Sequence, residues 1–258
     1  MGFITLDPQS IAGSHICCAI SDTKCTAGYA AKKAWLTDQH ALGFRFHRLD
    51  ERGKVFVEYG PGEFAFMPVR APDWLVLGCF WVSGRFKGEG NGKALLAHVL
   101  DEAHAQGRAG VVSVVGRKKM HFMSDGAWLR RQGFREVDAI DSGFVLLARE
   151  LDAGAGAMPA RFADSARNPP GNMAKGVTVY YSARCPFTDY YVGQMLPEAC
   201  RNRGLELTVH KLESLSDAQA APSPATVFSL FLDGRFVTTD LSACIDTRFD
   251  KVVGKALV

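Results

Sequence analysis

No apolar run in this chain approaches the roughly 18 residues that a membrane-spanning helix needs. The first ten residues, MGFITLDPQS, lack the basic and apolar regions of a secretory signal. A cytoplasmic protein with no membrane partner is therefore expected. Excess charge of one sign is missing too. Thirty Lys and Arg stand against 27 Asp and Glu, a formal net charge of +3. Bulk electrostatics give a nucleic-acid role no support. The seven cysteines contain no C-x-x-C pair, which counts against a zinc ribbon or a dithiol oxidoreductase. No Gly-Lys-Ser/Thr follows a glycine loop, so a Walker A nucleotide site is excluded.

What is present is an ordinary globular composition, 47% hydrophobic and 22% charged over 258 residues. At roughly 150 residues per domain this allows one large unit or two small ones. One composition break is visible. Asp152 to Lys175 reads DAGAGAMPARFADSARNPPGNMAK, rich in Ala, Gly and Pro and without apolar period. It is read as a linker with Phe162 as a docking point. The expected organisation is an α/β mixed-sheet domain over 1–151, the linker over 152–175, and a small α/β domain over 176–258.

In the first domain, strands are expected at Phe3–Leu6, Phe44–Leu49, Lys54–Tyr59, Glu63–Pro68, Trp74–Ser83, Gly110–Gly116, Phe134–Asp138 and Gly143–Arg149. Helices are expected at Ala27–His40, Lys93–Gln106 and Asp125–Gln132. The nearly all-apolar Trp74–Ser83 reads as a central strand. It runs into Lys87-Gly88-Glu89-Gly90-Asn91-Gly92-Lys93 and then into an amphipathic helix. Glycines let a phosphate approach the backbone, and free N–H groups at a helix start bind it with help from the helix dipole.

Lys87, Gly90 and Gly92 after a central strand resemble motif A of the GNAT acetyltransferase superfamily. Asp125-Gly126-Ala127-Trp128-Leu129-Arg130-Arg131-Gln132-Gly133-Phe134 resembles its motif B. The stretches HICCAI (15–20), GKVFVEYGP (53–61), FWVSGRFKG (80–88) and YYSARCPFT (180–188) look like the YoaP family, a GNAT domain joined to a C-terminal YoaP domain. The resemblance implies acetyl-CoA as co-substrate. Its pyrophosphate is expected on Lys87–Lys93 and its pantetheine arm against the backbone of Phe80, Trp81 and Val82. It implies an N-acetyltransferase acting on a small-molecule or peptide amine by direct attack in a ternary complex. The acceptor's identity and the oligomeric state stay open.

Many GNAT enzymes carry a motif B tyrosine as general acid. The spacing to Gly133-Phe134 puts Leu129 at that place, and leucine donates no proton. Ser124, Asp125 and His121, or water, are the replacements considered. Glu63 and Glu58 lie on strands expected to reach the substrate side, and either is a candidate base for the attacking ammonium. Cys17, Cys18 and Cys25, near His15, are read as small buried apolar groups, against a soft-metal reading. No resident metal is expected. Lys32 and Lys33 are read as a solvated helix face, and Arg117-Lys118-Lys119 as a solvated turn or a cofactor contact.

The second domain reads strand, helix, strand, short helix, two strands, helix, as in a thioredoxin-like fold. Pro222 or Pro224 falls at that fold's cis-proline position. Cys185-Pro186-Phe187-Thr188 falls where a redox motif belongs, with Thr188 in place of the second cysteine. The helix start and Arg184 are expected to lower the Cys185 pKa. Cys185 is thus a candidate catalytic thiol. A thiol-dependent binding or redox module, or thiol-based metal or metalloid handling, is the alternative function.

Overall fold

A computed structural model describes residues 2–151, 156–171 and 173–254. β1 (Phe3–Leu6) leads into α1 (Pro8–Gly13). Periodicity gives no helix here, since six residues are too few to show one. The helix forms because Asp7 and Ser10 reciprocally cap each other's backbone N–H groups and Pro8 occupies the first turn.

α2 (Thr26–His40), β2 (Arg45–Leu49) and β3 (Val55–Pro61) follow. The strand expected over Glu63–Pro68 is not formed. Pro61 ends β3, and Gly62–Phe64 make a 3-10 turn instead. Gly62 is packed so closely there that an added Cβ would sit 1.8 Å from the Ala71 carbonyl oxygen. The unit is completed by β4 (Val69–Arg70), β5 (Trp74–Val82), α3 (Asn91–Ala105), β6 (Gly110–Gly116), α4 (Gly126–Arg131), β7 (Arg135–Ala139) and β8 (Phe144–Glu150).

Seven strands form one mixed sheet in the order β1-β2-β3-β5-β6-β8-β7. Only β5 and β6 run parallel within it. β6 is apolar but for the buried Ser113, because both its faces are covered. Val111 and Val115 pack with Leu95, Leu96 and Val99 of α3, while Val112 and Val114 pack on the opposite face with Phe144 and Phe162. This is the GNAT-type mixed sheet that the resemblance implies.

β5 and β6 then part company. They pair only at Trp74–Gly110, Leu75–Val111 and Val76–Val112. β5 continues to Val82 bonded to β3, and β6 continues to Gly116 bonded to β8. Beyond Val76 the sheet is a V, open at the end where the glycine loop lies.

The described residues of the Ala/Gly/Pro-rich stretch lie along the first unit. β9 (Arg161–Phe162) pairs with β4, and α5 (Asp164–Arg167) carries Arg167 to the Asp138 carboxylate at 2.5 Å. Phe162 is buried among Val112, Val114 and Phe144.

The second unit has β10 (Val177–Tyr181), α6 (Thr188–Tyr190), a π turn over Tyr191–Met195, α7 (Leu196–Arg201), β11 (Leu207–Lys211), α8 (Leu215–Gln219), β12 (Phe228–Leu232), β13 (Arg235–Thr238) and α9 (Asp246–Val253). Its sheet order is β11-β10-β12-β13, with β11 parallel to β10 and β12 antiparallel. Among the described residues there is no cis peptide bond, so the expected cis-proline at 222 or 224 is corrected to trans.

The two units share buried surface. Leu212, Ala218 and Ala221 pack with Trp35, Phe44 and Phe66. Thr226 Oγ1 donates to the Phe66 carbonyl at 2.6 Å, and Thr239 Oγ1 to the His121 carbonyl at 2.6 Å. Backbone approaches backbone at Gly28, where an added Cβ would meet the Pro186 oxygen at 2.1 Å.

Under the sheet, His47 and His98 stack with ring centroids 3.6 Å apart, hydrogen-bonded to Thr5 and Tyr59 respectively. Burial, reinforced by His98, pushes the His47 pKa down to about 4. The fold therefore keeps His47 neutral while the unfolded chain takes up a proton below about 6.5. Its stabilising contribution is complete above pH 6.5 and is lost as pH falls toward 4, with a slope of about 1.4 kcal/mol per pH unit. Urea unfolding at pH 7 and pH 5 is expected to show a drop that His47→Phe reduces by about 2 kcal/mol. Equal drops in both proteins would assign the acid sensitivity elsewhere.

Candidate active site

A cavity of about 370 Å³ begins at Leu77, Gly78 and Val114, just beyond the last β5–β6 pair, and is walled by both units. That is within the usual range for small-molecule sites. On one side are Leu77 to Trp81 of β5. The far wall is Phe122, Met123 and Ser124, and the second unit closes it with Arg184 to Phe187 and Pro224 to Phe228.

The β5 wall is irregular by construction. Val57 pairs with Phe80 and Tyr59 with Leu77, so Gly78 and Cys79 together oppose Glu58. This is a β-bulge, a device that re-aims side chains next to sites. It turns Glu58 into the cavity lining while leaving it only 1% exposed. The Cys79 N–H faces Glu58 Oε2 at 3.5 Å. Gly78 is required by closeness rather than by φ. An added Cβ would lie 3.0 Å from Glu58 Cβ and 3.1 Å from Arg184 Nη2.

Glu58 is paired with Lys32, whose Nζ lies 2.7 Å from Oε1. The expected solvated face at Lys32 is corrected: its side chain is fully buried, because α2 lays it across β3. The ammonium also sits 4.4 Å over the Trp35 ring. Lys33 does face outward and donates to the Ala12 carbonyl at 2.6 Å.

Glu63 is elsewhere. Arg108 holds both its oxygens, at 2.9 and 3.0 Å, and it does not line the cavity. Of the two carboxylates considered as base, only Glu58 reaches the cavity. Ser124 and His121 also line it, the latter with Nδ1 3.5 Å from Asp240. Asp125 caps α4, its Oδ1 accepting from the Trp128 N–H at 2.9 Å. Leu129 is buried in the core under α3. Arg117 pairs with Glu136.

Four thiols meet here. Cys17, Cys18, Cys79 and Cys185 all line the cavity. Cys17 and Cys18 lie on a turn rather than a strand, and Cys17 has φ +43, so neighbours can reach one space. Burial pushes Cys17 up to about 12 and Cys18 upward as well. The expected acidic Cys185 is corrected. Burial drives its pKa well above that of a free thiol, outweighing the adjacent helix start and Arg184. Cys25 is buried away from the cavity lining, and among the described residues no group of three or more His, Cys, Asp or Glu is arranged to hold a metal.

At the open end of the V, Lys87, Gly88, Glu89 and Gly90 are exposed. Gly88 and Gly90 have φ +85 and +80, a region that favours glycine. Both face open space where a Cβ would go. α3 starts with Gly90 as its cap, and no side chain bonds its first N–H groups. Asn91 is spent on structure, its amide donating to the Phe86 carbonyl at 3.1 Å. Gly92 lets Trp128 approach, a Cβ there meeting the indole at 3.3 Å. Lys93 is exposed, and Phe80 packs edge-on to Trp128 at 5.3 Å, while Trp81 and Val82 continue β5 toward the loop.

Residues 207–251 match the YoaP-like family model. The protein described as uncharacterized N-acetyltransferase YoaP from Bacillus subtilis (strain 168) is 35% identical over 253 residues, 98% of each chain. Among solved structures, the ribosomal-protein-alanine N-acetyltransferase of Brucella melitensis is 17% identical with a TM-score of 0.41, covering 58% of this chain and all of its own. The PaiA N-acetyltransferase of Thermoplasma acidophilum, solved with coenzyme A, is 15% identical with a TM-score of 0.40 and the same coverage.

Proposed function

The chain belongs to the YoaP family of N-acetyltransferases, and from that premise we propose that it transfers an acetyl group from acetyl-CoA to an amine bound in the shared cavity. The observation that carries this reading is the V between β5 and β6 with an uncapped, glycine-led helix at its open end and a cavity at its closed end. Acetyl-CoA supplies the activated acyl group. The uncapped N–H groups of Asn91, Gly92 and Lys93, with Lys87 and the open Gly88 and Gly90 positions, suit a pyrophosphate. Glu89, in the same loop, takes part through its backbone. The β6-facing backbone edge of Phe80, Trp81 and Val82 has no strand partner among the described residues and suits the amides of a pantetheine arm.

Glu58 receives the ammonium proton of the acceptor, directly or through water, so that the neutral amine attacks. The backbone N–H of Gly78 at the bulge is assigned to the developing oxyanion, since the Cys79 N–H faces Glu58 Oε2. Ser124 is the cavity hydroxyl nearest in chain order to the motif B helix and is assigned a hydrogen bond to the leaving thiolate, which takes its proton from solvent. A reactive-thiol function has less support, since burial keeps Cys185 protonated.

The cofactor assignment has a clean test. Gly90→Asp suits the backbone, because Asp adopts positive φ more readily than most residues, and it places a carboxylate against the pyrophosphate site. Calorimetry is expected to show acetyl-CoA bound at least 10-fold more weakly than by Gly90→Asn, which imposes the same backbone strain without the charge. Unaltered affinity would remove the loop from the cofactor site.

A further inference from the structure

Arg184 is a buried cation that the reaction above does not use. It enters from the second unit and is 7% exposed. Nη1 donates to Thr226 Oγ1 at 3.0 Å and reaches the Phe66 carbonyl at 3.5 Å. Nε is buried without a partner, and among the described residues Nη2 has none either. The nearby carboxylate of Glu58 is paired with Lys32, and among the described residues no carboxylate forms an ion pair with the guanidinium. The Lys32–Glu58 pair is neutral in sum, so one positive charge is left uncompensated at the cavity wall. Burying a charge without a counter-ion costs several kcal/mol. Burial also pulls the Arg184 pKa down, by more than the neighbouring Glu58 raises it. A planar fork with free N–H groups is suited to bidentate recognition of a carboxylate.

We propose that Arg184 binds the carboxylate of the acceptor, and that the acceptor is an α-amino acid with an apolar side chain. This rests on the amine-acetylation reading above. The guanidinium reaches β5 at Gly78, where a Cβ would lie 3.1 Å from Nη2. Gly78 also forms the bulge beside the acyl end. Carboxylate and attacking nitrogen must then lie close together, which one intervening carbon provides and a long ω-amine does not. The apolar part of the cavity, lined by Phe122, Met123, Pro186, Phe187 and Pro224, takes an apolar side chain. The second unit is thereby a specificity element, reaching into the transferase site with a buried cation, whereas Lys54, the first unit's cation on the lining, is exposed.

The test pairs each proteinogenic α-amino acid with its amide, which keeps shape and amine but removes the anion. Wild type is expected to favour apolar amino acids over their amides by at least 30-fold in kcat/KM. Arg184→Met, with its fold checked by circular dichroism and its acetyl-CoA affinity by calorimetry, is expected to lose that preference. Turnover of amino acids and amides alike in wild type would overturn the proposal while leaving the transferase reading intact. A variant that slows every amine equally would also overturn it, and would give Arg184 an oxyanion role. A second readout does not need turnover. N-acetylleucine is expected to raise the melting temperature of wild type but not of Arg184→Met, and N-acetylleucinamide to raise neither. If that pattern appears without any amine being acetylated, the carboxylate site stands and the transferase reading falls. Equal shifts from both acetylated compounds would overturn the site itself.

Discussion

Glu58→Gln is expected to lower turnover at least 100-fold and to destabilise the fold by roughly 3 kcal/mol. Both effects come from one carboxylate. It is the cavity's buried acid, 1% exposed, and among the described residues it is the only carboxylate paired with the fully buried Lys32. Removing its charge leaves an ammonium in a nearly dry site, which is the costly way to break a buried pair. A loss of activity alone would not separate chemistry from collapse. The double variant Lys32→Met/Glu58→Gln does, since it removes the stranded charge while retaining the acid's absence. It is expected to recover most of the lost stability, read by urea unfolding, and none of the rate. Recovery of rate along with stability would make Glu58 a structural partner of Lys32 and end its role as base.

Gly28→Ala is expected to destabilise the protein although it sits inside a helix. In an open helix this change gains about 1 kcal/mol. Here the new Cβ would lie 2.1 Å from the Pro186 carbonyl oxygen and 3.0 Å from its carbon, both backbone atoms. The Cys185-Pro186 turn must move, at a cost of about 1–3 kcal/mol beyond the propensity gain. That turn is a cavity wall. The variant should therefore raise the acceptor KM more than it changes acetyl-CoA affinity, because the glycine loop lies at the other end of the V. A stabilised protein would mean that α2 and the second unit are not in backbone contact.

The features legible in the sequence are those written in neighbouring residues. The all-apolar strand at Trp74, the glycines at 88, 90 and 92, and the helix beyond them announce themselves within twenty residues. The positions of the seven sheet strands along the chain follow the apolar segments closely. What could not be read is where distant polar groups meet. Lys32, Glu58 and Arg184 are 26 and 126 residues apart, and only the packing of α2 and the second unit against β3 and β5 brings them to one wall. Glu63 and Glu58 look alike as strand-end acids. Pro61 and the 3-10 turn after it send Glu63 to Arg108 instead. The place of Cys185 before a helix reads as acidifying, but the fold buries the thiol. Desolvation decides the sign. One missed helix did carry a signal, the Asp7-Pro8-Gln9-Ser10 cap.

The most direct measurement is chromatographic and mass-spectrometric quantification of CoA and N-acetylated amine from acetyl-CoA and the amino acid panel. Wild type is expected to release CoA only when an acceptor is present, in equal amount with an N-acetyl product. Release without acceptor, an acetyl group on a cysteine in place of an amine, or no release while acetyl-CoA remains bound would contradict the account.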